Sequence, residues 1–147
     1  MTGTSIVIDR AEIEAGAGRL EALANLNVGD LLAKIGGSLV ASISQRFETG
    51  VGPDGVQWEP SLRATEQNGR TLVRRGHLRD SVTHAVTGDA VAVGTNVVYA
   101  AIHQFGGEAG REGATVLPAR PFLGLSETDG AEIRAIVADH LRGGLGA

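Results

Sequence analysis

Four histidines, at positions 77, 84, 103 and 140, are the side chains best suited to metal binding or proton transfer near neutral pH. No two of them stand four residues apart, the spacing by which an HExxH helix puts two imidazoles on one face. A hydrolytic zinc site needs three protein ligands and an open position. The chain has no cysteine, which removes thiolate ligands, thiol nucleophiles and disulfides together. Ser81 lies close before His84, but without the GxSxG turn that would expose a nucleophile. The carboxylate pairs Glu12/Glu14 and Glu127/Asp129 fall in expected first helical turns, where the helix dipole accounts for acids. "GVGPDG" and "GGEAGREG" are rich in glycine, yet neither has the GxxxxGK[ST] or GxGxxG pattern that cradles phosphates. The residues therefore assign no catalytic group, no cofactor and no metal ligand.

Two local concentrations remain. "YAAIHQFGG", Tyr99–Gly107, gathers scarce residues: the chain has one Tyr, three Phe and four His. The other is the segment Arg63–Arg79, with arginines at 63, 70, 74, 75 and 79, His77 among them, and Glu66 as its only acid. Such a segment could meet DNA phosphates or an acidic protein. It lacks the interleaved aromatics that stack on single strands, and no zinc-finger or basic-zipper pattern surrounds it. A net charge of −4 also argues against binding driven by phosphate contacts. A solvated loop, or a face for an acidic protein partner, is the expectation.

These groups must be positioned by elements that the periodicity predicts. One domain is expected from 147 residues. Aromatics make up only 3%, so the core must be built from Leu, Ile, Val and Ala. The β-branched run Thr4–Ile8 predicts a strand. Asp9 and Glu12 form a capping-box pattern that opens a helix to about Asn25, with Ile13, Ala17, Leu20 and Ala24 inward. A second helix is expected from Asp30 to Gly50, burying Leu32, Ile35, Leu39, Ile43 and Phe47 and leaving Lys34 and Arg46 to water. Thr49–Pro60 reads as a loop, pinned to the body by Trp58. Ser81–Val86 and Ala90–Thr95 alternate around "TGD" as a hairpin. Apolar residues four apart (Val97, Ala101, Phe105, and Val98, Ile102) predict a short helix stopped by Gly106. Gly106–Thr115 reads as an exposed, mobile loop. Pro118 and Pro121 hold "LPARPFLGL" extended. Ser126 with Asp129 opens a last helix, whose apolar face is Ile133, Ile136, Val137 and Leu141 and whose tail, Arg142–Ala147, should fray. The fold class is α+β: a small antiparallel or mixed sheet against two or three helices, with long loops. The N-terminus lacks the pattern of a signal peptide, and no apolar run reaches the ~18 residues of a bilayer span. A soluble intracellular interaction or assembly protein, without a membrane partner, is expected.

Four segments, in order, carry a resemblance. The first is "RFETGVGPDGVQWEPSL", with Phe47, Pro53, Asp54, Gly55, Trp58 and Leu62. The second is "RRGHLRDS", with Gly76, Leu78 and Ser81, and with Arg75 where Thr or Ser is usual. The third is "VGTNVVYAAIHQFGG", with Gly94, Tyr99, Ala100, His103, Gln104, Phe105 and Gly106. The fourth is "LPARPFLGLSETD", with Pro118, Arg120, Pro121, Phe122 and Leu123. Together they resemble the phage virion morphogenesis, or tail-completion, family of Mu-like phages and prophages, from about Ile6 to Leu141. The resemblance implies a structural, non-catalytic role without a cofactor, similar to that of head–tail joining and tail-terminator proteins. It implies a homo-oligomer, a hexameric ring in the neck or tail of the virion, assembled in the host cytoplasm. Its neighbours would be other neck, connector or tail-tube proteins, and DNA would pass through the pore without sequence-specific contacts. An acidic subunit suits such a channel, because phosphates are repelled. The free protein is expected to be monomeric or weakly associated. Phe105 and Phe122 are expected as core anchors, and His103 and Gln104 as hydrogen-bonding partners of the "PARPF" backbone or of a neighbouring subunit. Two alternatives stand beside this: a head-side capsid morphogenesis protein, and a DNA-binding accessory protein that uses Arg63–Arg79.

Overall fold

The computed structural model describes residues 3–17, 28–73 and 76–146. The continuation of the first helix to Asn25, with Leu20 and Ala24, and the arginines Arg74 and Arg75 lie outside the described residues.

The chain opens with strand β1 (Thr4–Asp9) and helix α1 (Arg10–Ala17). The Glu12 N–H donates to Asp9 Oδ1 at 2.8 Å, so Asp9 caps α1 as its spacing predicts. Strands β2 (Thr83–Thr87) and β3 (Ala90–Thr95) form the expected hairpin across the turn at Gly88. β2 starts two residues late, because Ser81 closes a short helix instead. The sheet is antiparallel in the order β1-β3-β2. Ile8 faces Val91, and Ile6 and His84 flank Val93, so one face gathers the branched side chains while Ser5 and Val7 alternate outward.

Helix α2 (Val28–Thr49) lies across that inner face. Leu32, Ile35, Leu39, Ile43 and Phe47 are all buried, as their spacing predicts. α2 starts at Val28, two residues before the expected cap at Asp30. It ends at Gly50, whose positive φ of 71° lets its N–H reach the Arg46 carbonyl at 2.7 Å. Arg46 does not reach water: it is 6% exposed. It stands three residues after Ile43 and seven after Leu39, on the buried stripe.

Two short helices occupy the basic segment, where a loop was expected: α3 (Leu62–Glu66), capped by Ser61 Oγ, and α4 (His77–Ser81). Helix α5 (Ala100–Phe105) follows β3 and is stopped by Gly106, whose φ is 72°. A Cβ on Gly106 would come within 2.7 Å of the Ala119 nitrogen, so the residue serves both conformation and close approach. The Gly106–Thr115 segment is exposed but not structureless. It builds a two-stranded hairpin, β4 (Gly107–Ala109) with β5 (Thr115–Leu117), around a 3-10 turn at Arg111–Gly113.

The last helix, α6 (Glu127–Gly146), packs on α2 through Ile133, Ile136, Val137 and Leu141. It extends through Gly146, beyond the point at which fraying was expected. The architecture is α+β: one small antiparallel sheet, helices on one of its faces, and a satellite hairpin. Among the described residues, no helix is long and apolar enough to cross a membrane.

Candidate functional site

The first and third of the resembling segments meet on an extended strap supplied by the fourth, Pro118–Leu123. Two prolines keep it out of helix, so its backbone polar groups need partners from elsewhere. α5 supplies the first set. Gln104 Oε1 accepts from the N–H groups of Phe122 and Leu123, both at 3.0 Å, and its Nε2 donates to the Leu123 carbonyl at 3.1 Å. The His103 carbonyl accepts from the Arg120 N–H at 2.7 Å. The loop after α2 supplies the second set: Trp58 Nε1 donates to the Pro121 carbonyl at 2.8 Å. α2 supplies the third: Arg46 Nη1 donates to the Phe122 carbonyl at 2.6 Å. The strap answers through Arg120, whose Nε donates to the Glu59 carbonyl at 2.7 Å.

Inside this cage lies a small aromatic cluster. Phe47 meets Trp58 edge-on with centroids 5.6 Å apart, and Phe122 at 5.5 Å. Phe47 and Phe122 are fully buried, and Trp58 is nearly so. Phe122 is therefore a core anchor, as expected, and Trp58 pins its loop. Pro53 lies against Gly124, just past the strap, in the turn where Gly55 takes a φ of 82°. Leu78 is buried on α4.

Phe105 is not a core anchor, for it is 72% exposed. The side of α5 that meets the body carries Ala100, His103 and Gln104, at helical spacing i, i+3, i+4. Ala100 is buried, and Gln104 faces the strap. The apolar residues Val98, Ala101 and Phe105 turn outward. The inner surface is a line of backbone N–H and C=O groups, so the helix must present an amide to it and not a ring.

A buried ion pair went unread in the sequence. Arg46 Nη2 bonds to Asp129 Oδ2, and Ser42 Oγ donates to Asp129 Oδ1. Asp129 also accepts from the Ser126 N–H at 3.0 Å, while Ser126 Oγ accepts from the Asp129 N–H at 3.0 Å, a reciprocal cap on α6. Burial pulls the Arg46 pKa down, and Asp129 opposes that pull. The spacing of Arg46 on the stripe was the available signal; its charge suggested water instead.

Beside the strap opens a cleft of about 520 Å³, between α3, α4, α5 and β5. Arg63, Arg120, His77, His103 and Tyr99 line it over Leu72, Leu78 and Leu117, with no carboxylate among the described residues of the lining. Tyr99 stands edge-on to the His103 ring at 6.1 Å. His103 Nδ1 is buried without a hydrogen-bond partner, so the expected bond to the strap is made by its carbonyl and not by its ring. Burial, and next the charge of Arg120, hold the His103 pKa below its ordinary value.

Among the described arginines of the basic segment, each has a partner. Arg70 pairs with Glu48, Arg79 with Asp80 at 2.8 Å and with Glu48 at 3.4 Å, and Arg63 Nη2 donates to the Arg70 carbonyl at 2.8 Å. Ser81 Oγ bonds to Thr95 Oγ1 at 2.6 Å and to the Leu78 carbonyl at 2.7 Å, which makes it a strut. His84 packs over Gly36 of α2. Among the described residues, no three His, Asp or Glu side chains are grouped to hold a metal ion.

The profile described as the Phage virion morphogenesis family matches residues 8–142. Mu-like prophage FluMu G protein 2 of Haemophilus influenzae is 37% identical over 131 residues, covering 89% of this chain and 90% of that protein. Protein G of Escherichia phage Mu, whose name assigns it provisionally to capsid assembly, is 36% identical over 106 residues, 65% of this chain and 68% of its own. No solved structure gives a significant match. The profile spans β2, β3, α2, the strap and most of α6, and the chain belongs to the phage virion morphogenesis family.

Proposed function

We propose that this protein is a structural subunit of the virion that completes the tail or joins it to the head, as a ring of copies around the DNA channel. The observation that carries this is the use made of the family-marking residues. Gln104, Trp58 and Arg120 spend polar atoms on backbone groups of the strap and its surroundings, Arg46 beside Phe47 joins them, and Phe47 and Phe122 fill the space beneath. Residues so employed build a rigid body, and no reaction is assigned to them. The outward apolar face of α5 and the projecting hairpin offer surfaces on one body for different neighbours, as a heterologous ring contact requires. The net charge of −4 keeps DNA moving past the subunits instead of holding it.

A second reading has its own support: the relative in phage Mu is named for capsid assembly. On that reading the protein acts on the head. A nonsense codon in this reading frame of a parent phage or prophage separates the two. The tail reading expects DNA-filled heads beside free tails that fail to join. Lysates lacking mature heads, with normal tails, would instead support the capsid reading.

A further inference from the structure

We propose that the cleft between α3 and α5 is the socket for the acidic tip of the β4–β5 hairpin of a second copy of this chain. This rests on the ring reading and names the contact that would build the ring. Three independent features carry it.

The first is charge. The cleft collects Arg63, Arg120, His77 and His103, with no acid among the described residues of its lining, on a chain whose net charge is −4. Two guanidiniums, Arg63 and Arg120, in a concave site call for a carboxylate, and the surface of another copy is rich in them. A duplex needs a broad basic face for many phosphates. This narrow cleft is not one, and nearby Arg70 and Arg79 are already paired with Glu48.

The second is the hairpin. Two short strands are marginally stable on their own, and this pair projects with Val116 75% exposed. At its tip, Glu112 holds a left-handed φ of 57° between Arg111 and Gly113. A non-glycine residue in that conformation is strained, and such strain concentrates at ligand clamps and functional sites. Here it sets an exposed carboxylate in the turn that joins β4 to β5. Glu108, also exposed, lies over Gly113 beside it.

The third is continuity. Tyr99, 47% exposed, lines the cleft and adjoins the outward face of α5, where Val98 and Phe105 are 97% and 72% exposed. A docked hairpin would set Glu112 beside the guanidiniums of Arg63 and Arg120 and Val116 against that apolar rim. The hairpin thus offers an acid and an apolar residue to a socket that has the complement of each.

The test uses the absence of cysteine from the chain. His77→Cys on the cleft wall and Glu112→Cys on the tip are made as separate single variants, with tags of different size, then mixed and oxidised. The expected result is a mixed disulfide well above the statistical share. Adding Arg63→Glu to the His77→Cys chain should slow its formation about tenfold, as loss of a complementary charge does. A statistical mixture, or no cross-link, overturns the proposal. So does binding of a 20-base-pair DNA duplex that Arg63→Glu abolishes, since the cleft would then serve DNA. The double variant His77→Cys/Glu112→Cys tests the ring reading apart from this. A ladder of products closing at one size supports both, whereas reciprocal dimers alone would keep the socket and overturn the ring.

Discussion

At the scale of single residues, the side chains that look reactive are the ones that hold the chain together. Gln104 makes three hydrogen bonds to the strap. Its loss leaves the buried N–H groups of Phe122 and Leu123 without partners, at about 1–3 kcal/mol for each unsatisfied group. Gln104→Ala should therefore lower the urea unfolding free energy by about 2–3 kcal/mol or more. Phe122→Ala should cost about 3–5 kcal/mol, while Phe105→Ala should change stability by less than about 0.5 kcal/mol. His103 gives a pH signature. Its folded pKa is depressed, so the unfolded chain takes up the proton first. Its contribution is complete above the ordinary histidine value of about 6.5 and is lost as pH falls below that. Thermal melts of His103→Gln should show a weaker decline from pH 7 to pH 5 than the parent. Trp58 was legible as the single large aromatic of its loop, and the roles of Phe122 and Gln104 were expected once the resemblance set YAAIHQFGG beside LPARPFLGL. Arg46 and Phe105 differ from expectation for two reasons: the charge of Arg46 suggested water although its spacing puts it on the buried stripe, and the apolar spacing that holds Phe105 marks the side of α5 that the strap does not use.

At the scale of elements, periodicity worked where a helix packs on an apolar layer and failed where it packs on bare backbone. α2 and α6 lie against side chains, so their stripes are apolar and readable. α5 lies against the strap, and its inner face is Ala100, His103 and Gln104. The short helices α3 and α4 and the β4–β5 hairpin carry too few residues for a pattern, and glycines made the hairpin look like a loop. α2 also offers a paired test. A Cβ on Gly36 would come within 2.7–2.9 Å of His84, whereas one on Gly37 meets nothing within 4 Å. Gly36→Ala should destabilise by about 1–3 kcal/mol through overpacking, less what helix propensity returns. Gly37→Ala should stabilise by up to about 1 kcal/mol. Chemical denaturation of the two variants should give opposite signs.

At the scale of the whole molecule, the motif residues divide between the strap's cage and the surfaces left for neighbours: Gln104, Trp58 and Phe122 turn inward, whereas Tyr99, His103 and Arg120 also line the cleft and Phe105 faces outward. The strap and its cage explain why the motif residues occur together. The cleft, the α5 face and the hairpin are the parts left to meet neighbours, and nothing in their short, mixed sequences singled them out as one surface. The fold class was legible because it depends on two long amphipathic helices and one alternating hairpin. The surface was not, because it is assembled from four elements distant in the chain. Cryo-electron microscopy of the parent particle measures the central claim most directly. The account predicts this fold as a closed ring coaxial with the DNA channel, at the head-proximal end of the tail or in the neck. Finding it instead dispersed over the capsid shell, or absent from the finished particle, would contradict it.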